Sequence, residues 1–454
     1  MRVERNDQRR HLIIMTRIPE AGRVKTRLVP TLGPDGAAAV HAALLDRTLR
    51  MVENHVGQSG VSVEVRFTGG TPEAAASLQT ESLLKWREQQ GIDLGDRMHV
   101  AMTTALKEEA TAVIVIGTDC PDLSPDILNR AWSLLDRHDL VLGPAEDGGY
   151  YLIGMKQSDQ RMFTGIDWGT EHVLRQTQHR GRELKKLMAL LPILGDVDEA
   201  ENLILCRRFG SDFANCLPQQ CPGLLSIVIP ALNEAGQLEH TIDAIQQQAS
   251  CEIIIADGGS TDGTVELAKQ RRCRVIFANR GRGRQMNAGA ALARGEHLLF
   301  LHADTRLPIN FREEIHQTLN SGAIAGAFRL QVDDSGAALR CVAWGTNLRA
   351  RFLQLPYGDQ GLFLRSQDFY AIGGYRNWSL MEDVDLCLRL KRTGRICLTK
   401  SPAVTSGRRW KRLGVLRNTL LNQICMAMYF AGLGPERIAE FYKACGRSKH
   451  QPTD

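Results

Sequence analysis

Between residues 230 and 304 this chain carries four polar clusters, each placed directly after an apolar run. They are Pro230-Ala-Leu-Asn-Glu234, Asp257-Gly-Gly-Ser-Thr-Asp-Gly263, Gly281-Arg-Gly-Arg-Gln-Met-Asn287 and His302-Ala-Asp304. Together they suit a nucleoside diphosphate. Asn233, Glu234 and Asp257 offer acceptors for base N–H groups and ribose hydroxyls. Arg282 and Arg284, on a Gly-flanked loop, offer donors to phosphates. Asp304 can hold a magnesium or manganese ion against the diphosphate, because hard cations take oxygen ligands and keep substrate phosphates in their shell. Taken singly, the Asp257 run is a plain turn and the arginine loop a solvated surface. Four clusters in strand-end register are poorly explained that way. Further on, Glu382-Asp383 opens a helical run and offers a carboxylate base, although a helix cap would explain one of the two acids. Upstream of it, Gly373-Gly-Tyr375 offers a turn and an aromatic face for an acceptor to stack on.

The elements that must position these residues read as two β/α alternations. In the first half, strands are expected at residues 11–17, 61–67, 112–117 and 139–142, with helices at 35–52, 96–108 and 124–135. In the second, strands fall at 224–230, 252–256, 274–278 and 297–302, with helices at 238–248, 265–271 and 285–294. Strands alternating with helices predict parallel β/α units. In open α/β sheets ligands bind outside the carboxyl ends of the strands, which is where the polar clusters lie. Residues 206–223, with Pro218, Pro222, Cys216 and Cys221 and no sustained periodicity, read as a linker. The expected organisation is a domain at 10–205, a linker at 206–223, a second domain at 224–412 and a helical segment at 413–454. The fold class is α/β, two tandem nucleotide-binding domains.

The second half resembles the glycosyltransferase family 2 catalytic domain, which has a GT-A fold. The matching runs are Ile227-Val-Ile-Pro-Ala-Leu-Asn-Glu234, Asp257-Gly-Gly-Ser-Thr-Asp-Gly-Thr264, Phe300-Leu-His-Ala-Asp-Thr305 and Met381-Glu-Asp-Val-Asp-Leu386. The arginine loop and His302-Ala-Asp304 are most similar to the branch found in arsenosugar-biosynthesis gene neighbourhoods. The resemblance implies that Pro230, Asn233, Glu234 and Asp257 contact the nucleoside and that Asp304 is the metal carboxylate. Asp383, beside Glu382, would deprotonate the acceptor hydroxyl for inverting transfer. Arg409 and Trp410, in Ser406-Gly-Arg-Arg-Trp410, would contact the diphosphate. One departure is visible: His302 stands where the family has its first acid, as a ligand or as a packing residue.

The first half carries a different phosphate-type loop. In Arg17-Ile-Pro-Glu-Ala-Gly-Arg-Val-Lys-Thr-Arg-Leu28, the cations Arg17, Arg23, Lys25 and Arg27 crowd around Gly22. They would repel unless an anion sat among them. The P-loop spacing is absent. With Gly117-Thr-Asp119, Gly143-Pro-Ala-Glu-Asp147 and Asp196-Val-Asp198, this half resembles nucleotidyltransferase-like GT-A families such as molybdenum-cofactor and phospholactate guanylyltransferases. By that resemblance Gly22, Arg23, Lys25 and Arg27 hold phosphate. Asp119 would hold a metal, with Asp147 or Asp198 completing its shell.

The remaining composition sets bounds. A net charge of +5 over 454 residues is too mild to imply nucleic acid. Eleven cysteines without a C-x-x-C pair suit a reducing cytosol better than a disulfide framework. No uncharged apolar stretch is long enough to span a bilayer. Residues 386–435 hold ten basic residues and no acid. The stripe Leu416, Leu420, Ile424 and Met428 follows within that stretch and reads as packing on the domain or a partner, with peripheral membrane contact through 408–433 as the minority reading. The expectation is a cytoplasmic, two-domain sugar-nucleotide enzyme using magnesium or manganese, a nucleoside diphosphate sugar and an unidentified acceptor. One alternative makes the first domain a non-catalytic nucleotide-binding module. Another makes the whole chain a peripheral membrane transferase acting on a lipid phosphate.

Overall fold

The computed structural model describes residues 9–70, 76–78, 84–334, 336–408, 410 and 414–446. It divides into two compact α/β units, residues 1–198 with 209–216 and residues 199–208 with 217–454. The stretch expected to be a linker is therefore shared. Residues 199–208 cluster with the second unit, where Arg207 donates to Ala291 O and Ala293 O. Residues 209–216 cluster with the first, where Asp212 pairs with Arg47.

The first unit has a seven-stranded sheet of β1 (Arg10–Arg17), β2 (Ser62–Thr68), β3 (Lys85–Glu88), β4 (Ala112–Ile116), β5 (Leu140–Pro144), β6 (Tyr150–Met155) and β7 (Met188–Leu190), in the order β3-β2-β1-β4-β6-β5-β7. Its inner strands β1, β4 and β5 carry apolar runs because both faces are covered, whereas β3 is a polar edge strand and β2 buries the Glu64–Arg66 ion pair. Leu12, Ile14, Ile114 and Ile116 pack on one side, and Ile13, Met15, Val113 and Val115 on the other. That is the period-two alternation of a strand buried twice.

The second unit has an eight-stranded sheet of β8 (Cys221–Ala231), β9 (Glu252–Asp257), β10 (Arg274–Phe277), β11 (Gly295–Phe300), β12 (Thr305–Arg306), β13 (Ala325–Val332), β14 (Leu362–Arg365) and β15 (Ile396–Thr405). The order is β10-β9-β8-β11-β14-β13-β15-β12. The purely parallel alternation expected from the sequence is incomplete: β6 runs antiparallel to β4 and β5, and β14 antiparallel to β11 and β13.

The helix Arg282–Ala291 lies close on this second sheet. Its small residues permit the approach, and a Cβ on Gly289 would come within 2.5 Å of Val228 Cγ1. Valine is stiff at χ1 and cannot swing aside cheaply. Gly289→Ala is therefore expected to destabilise the second unit by about 1–3 kcal/mol. The readout is a lower thermal unfolding midpoint than the parent chain.

Candidate active site

The carboxyl ends of β8 and β11 open on a cavity of about 1060 Å³ in the second unit. Its wall includes Pro230, Asn233, Glu234, Arg282, Asp304, Glu382, Asp383 and Trp410, which sequence reasoning had singled out. Residues separated by up to 180 positions thus converge on one space.

Three predicted residues, Asp257, Arg284 and Tyr375, take other places. Asp257 is 1% exposed and away from the wall. Its carboxylate accepts from Gly259 N at 2.8 Å, Ser260 N at 3.0 Å and Ser260 Oγ. The Gly-rich run after it is a brace: Thr261 N donates to Asn233 Oδ1 at 2.8 Å, and Ala235 N donates to Asp262 Oδ2 at 3.1 Å. Arg284 turns from the cavity to Asn377 Oδ1, with Glu201 4.0 Å away. Arg409 lies outside the described residues, and its neighbour Arg408 is the cation at the wall. Tyr375 is core rather than a stacking face. It is 3% exposed and packs edge-on to Phe300 at 5.1 Å.

The arginine-loop motif becomes legible as geometry. Along the helix Arg282–Ala291, Arg282 faces the cavity. Gln285 Nε2 donates to Ala231 O and Ala256 O, both at 2.8 Å, tying the ends of β8 and β9 together. Asn287 clamps the Tyr375 backbone, donating to its carbonyl at 2.7 Å and accepting from its N–H at 2.8 Å. Sequence reasoning missed Gln285 and Asn287 as positioning residues. Their amides are buried in the body of a helix that continues as Ala-Gly-Ala-Ala, which is the available signal.

The acids fall into two groups. At one, Arg408 spans Asp304 at 3.5 Å and Glu234 at 3.8 Å. Burial and then the Asp304 charge raise the Glu234 pKa, with Arg408 opposing. At the other, Glu382 and Asp383 begin the helix Glu382–Leu390. Burial, then the Glu382 charge, pushes the Asp383 carboxyl up to about 7 despite Arg282 nearby. Burial likewise raises the neighbouring Asp359 to about 6. Gly358 N donates to Asp383 Oδ2 at 3.0 Å, while Asp383 Oδ1 is buried without a partner among the described residues. Gly358 has no room for a side chain: a Cβ would lie 2.7 Å from Asp383 Oδ2 and 2.8 Å from His302 Nε2. His302 therefore lines the cavity directly beside the base candidate.

The first unit has its own cavity of about 600 Å³. Arg23, Lys25, Arg27 and Asp119 line it, and Gly22 does not. Gly22 instead supplies the loop's positive φ of 76°. Lys25 Nζ sits 2.7 Å from both Asp119 Oδ1 and Asp198 Oδ1, with its side chain 5% exposed. Burial disfavours its charge, but the two carboxylates more than offset this and hold its pKa above the usual lysine value. The ammonium thus fills the space between Asp119 and Asp198 where a metal had been expected. Asp147 does not line this cavity. Its carboxylate accepts from Gly149 N, and its charge, after burial, helps raise Asp196 to about 7. Among the described residues no group of three or more His, Cys, Asp or Glu side chains is arranged to hold a metal in either unit.

With this geometry in place, comparison with known proteins gives a class for each half. Residues 226–367 match the family described as glycosyl transferase family 2. Residues 51–170 match a family described as an uncharacterized protein conserved in bacteria, DUF2064. The second unit thus carries a family 2 glycosyltransferase domain and the first a DUF2064 domain. Among curated relatives, the succinoglycan biosynthesis protein ExoA of Rhizobium meliloti is 30% identical over 198 residues, 38% of this chain and 60% of that protein. A PGL/p-HBAD biosynthesis glycosyltransferase of Mycobacterium bovis is 38% identical over 93 residues, 18% of this chain and 36% of that protein. The chain therefore spans less than two thirds of these relatives. A solved structure described as a putative nucleotide-diphospho-sugar transferase from Desulfovibrio desulfuricans is 29% identical, covering 44% of this chain and 87% of that one, with a TM-score of 0.41.

The raised pKa of Asp383 has a consequence for stability. A carboxyl whose pKa is higher folded than unfolded stabilises the fold fully only below its unfolded value, and that contribution is lost as pH rises through about 7. Asp383→Asn should therefore raise the thermal midpoint relative to the parent chain at about pH 8, with the difference shrinking toward about pH 4. Equal midpoints across that range would show the carboxyl to be unperturbed.

Proposed function

We propose that the second unit transfers a glycosyl group, with inversion, from a nucleoside diphosphate sugar to an acceptor hydroxyl. The observation that carries this reading is Asp383, a carboxylate with an unpartnered buried oxygen, lining the same cavity as Arg282, Arg408 and Asp304. A base with a pKa near the working pH is suited to accept a proton in the transition state. The acceptor hydroxyl gives its proton to Asp383 as its oxygen bonds to the anomeric carbon. The bond from that carbon to the diphosphate oxygen breaks, and the nucleoside diphosphate leaves with the electron pair. Arg282 and Arg408 supply guanidinium donors where that charge develops.

A divalent cation fits this site on the chemistry of its donors. Asp304 and Glu234 already share the positive charge of Arg408. With no third protein ligand among the described residues, a magnesium or manganese ion would be held by Asp304 with phosphate oxygens and water. When bound, it would offset charge on the diphosphate. Asp383→Asn is expected to lower kcat by about 10²–10⁴-fold while leaving nucleotide binding intact. Asp304→Ala should remove the manganese dependence of nucleotide-induced thermal stabilisation. Full activity in the first variant, or retained manganese dependence in the second, rejects the role given to that residue.

For the first unit we infer a nucleotide site in its own cavity, serving nucleotidyl transfer, a second sugar transfer or binding without turnover. Arg23 and Arg27 on the cavity wall support phosphate recognition, while the Lys25 ammonium is held by Asp119 and Asp198.

A second reading for the whole chain, peripheral membrane contact, is favoured by the helix Val415–Phe430. Of the stripe expected to pack on the domain or a partner, Leu416 is 86% exposed, Leu420 62% and Ile424 37%, whereas Met428 is half-buried beside the buried Leu421 and Cys425. No described helix is long and apolar enough to cross a membrane. The chain should sediment with phosphatidylglycerol vesicles but not with phosphatidylcholine vesicles, and Leu416→Ser with Leu420→Ser should abolish this. Equal behaviour of parent and variant rejects the reading.

A further inference from the structure

The helix Val415–Phe430 lies beyond the segment matched to the transferase family, and it also forms a wall of the cavity. Asn418, Asn422 and Cys425 face inward, at spacings of four and three that bring them onto one side of a helix. The helix stands next to the acidic pair, because Leu380 and Met381, which precede Glu382, pack against its Leu421 and Cys425.

The polar atoms on this wall are unusual. Asn418 is 1% exposed and its Oδ1 has no partner among the described residues. Tyr357 and Asp359 line the same cavity, and Tyr357 OH and Asp359 Oδ1 are likewise buried without a partner among the described residues. Native proteins rarely leave such groups unmet, and those aimed into a cavity commonly meet a ligand or ordered water. Their chemistry is that of carbonyl, carboxylate and phenol, which receive hydrogen bonds from hydroxyl groups.

Charge narrows the class further. Five carboxylates and two guanidiniums line the cavity among the described residues. Arg408 lies with Asp304 and Glu234 on the donor side, while the charges of Arg282 and of Arg349, which stacks on Tyr357, partly offset those of Asp359 and the acidic pair. A phosphorylated group beside Asp359 and Asp383 would bring like charge into a buried space, where it is poorly screened.

Resting on the transferase reading above, we propose that Tyr357, Asp359, Asn418 and Asn422 form the acceptor subsite, and that it takes an uncharged, polyhydroxylated saccharide end rather than a phosphorylated acceptor. Donor recognition lies at Glu234, Asp304 and Arg408. Acceptor recognition is therefore supplied by the C-terminal helix and the 357–359 turn.

The test is ligand-observed saturation-transfer NMR on the full chain, using methyl glycosides of common hexoses, the matching hexose 6-phosphates, and undecaprenyl phosphate in neutral vesicles. At least one methyl glycoside should bind. Its affinity should fall about tenfold in Asn418→Ala and in Tyr357→Phe, each of which removes one hydrogen-bonding group. Tyr357→Phe keeps the ring that stacks 3.4 Å from the Arg349 guanidinium carbon, so a folded variant is available if Asn418→Ala fails to fold. Equal or tighter binding of a phosphorylated probe overturns the proposal, as does neutral binding indifferent to both substitutions. Binding of no probe by a chain that still binds nucleoside diphosphate also overturns it. A chain that binds a methyl glycoside through these residues but binds no nucleotide would instead defeat the transferase reading.

Discussion

The constraint on which the second unit depends is the burial of carboxylates beside two guanidiniums, Arg282 and, at Asp359, Arg349. Glu382, Asp383 and Asp359 all have pKa values raised first by burial, and Arg282 opposes each shift. Removing ions from water is costly unless they are paired or can take up protons. Here the cost leaves Asp383 with a raised pKa and an open oxygen. The helix bearing Arg282 must consequently be placed within narrow limits. Gly289 brings it onto Val228, Gln285 binds it to two strand ends, and Asn287 binds it to the segment preceding the acids. Gly283 belongs to the same arrangement, since a Cβ there would lie 2.8 Å from Arg376 O.

The first unit resolves a similar problem differently. Asp119 and Asp198 are brought close at the cavity wall, and the chain supplies its own cation from a loop residue in the left-handed region, Lys25 at φ 46°. The result is a compensated cluster, where the second unit keeps an excess of acid. Arg23 is also paired, with Glu20 at 3.3 Å, so part of the loop's positive charge is balanced by nearby acids. The expectation that four crowded cations require an external anion overlooked these internal partners.

The helix Val415–Phe430 shows how one element serves several environments. Asn418 and Asn422 meet the cavity, Leu421 and Cys425 pack with Ile438, and Leu416 and Leu420 are exposed. Apolar residues at a spacing of four identify a face, but they do not say what covers it. Of the stripe read from the sequence as packing on the domain or a partner, Met428 packs on the domain and Leu416, Leu420 and Ile424 are left exposed.

The sequence by itself determined the two α/β alternations, because strands buried on both faces must be apolar throughout and must end where polar residues begin. Strand-end position also pointed Glu234, Arg282 and Asp304 to one edge of the sheet, while Glu382–Asp383, at a helix start, was assigned there by its resemblance to the transferase family. Only the tertiary structure decided where individual side chains point. Asp257 and Arg284 have the right chemistry, yet Asp257 is consumed by its own loop's N–H groups and Arg284 by Asn377. Likewise only the fold placed Lys25 between two carboxylates and Asn418 at the cavity wall. The physical reason is range: periodicity and turn chemistry act over a few residues, whereas hydrogen-bond partners and burial are settled by contacts between segments far apart in the chain.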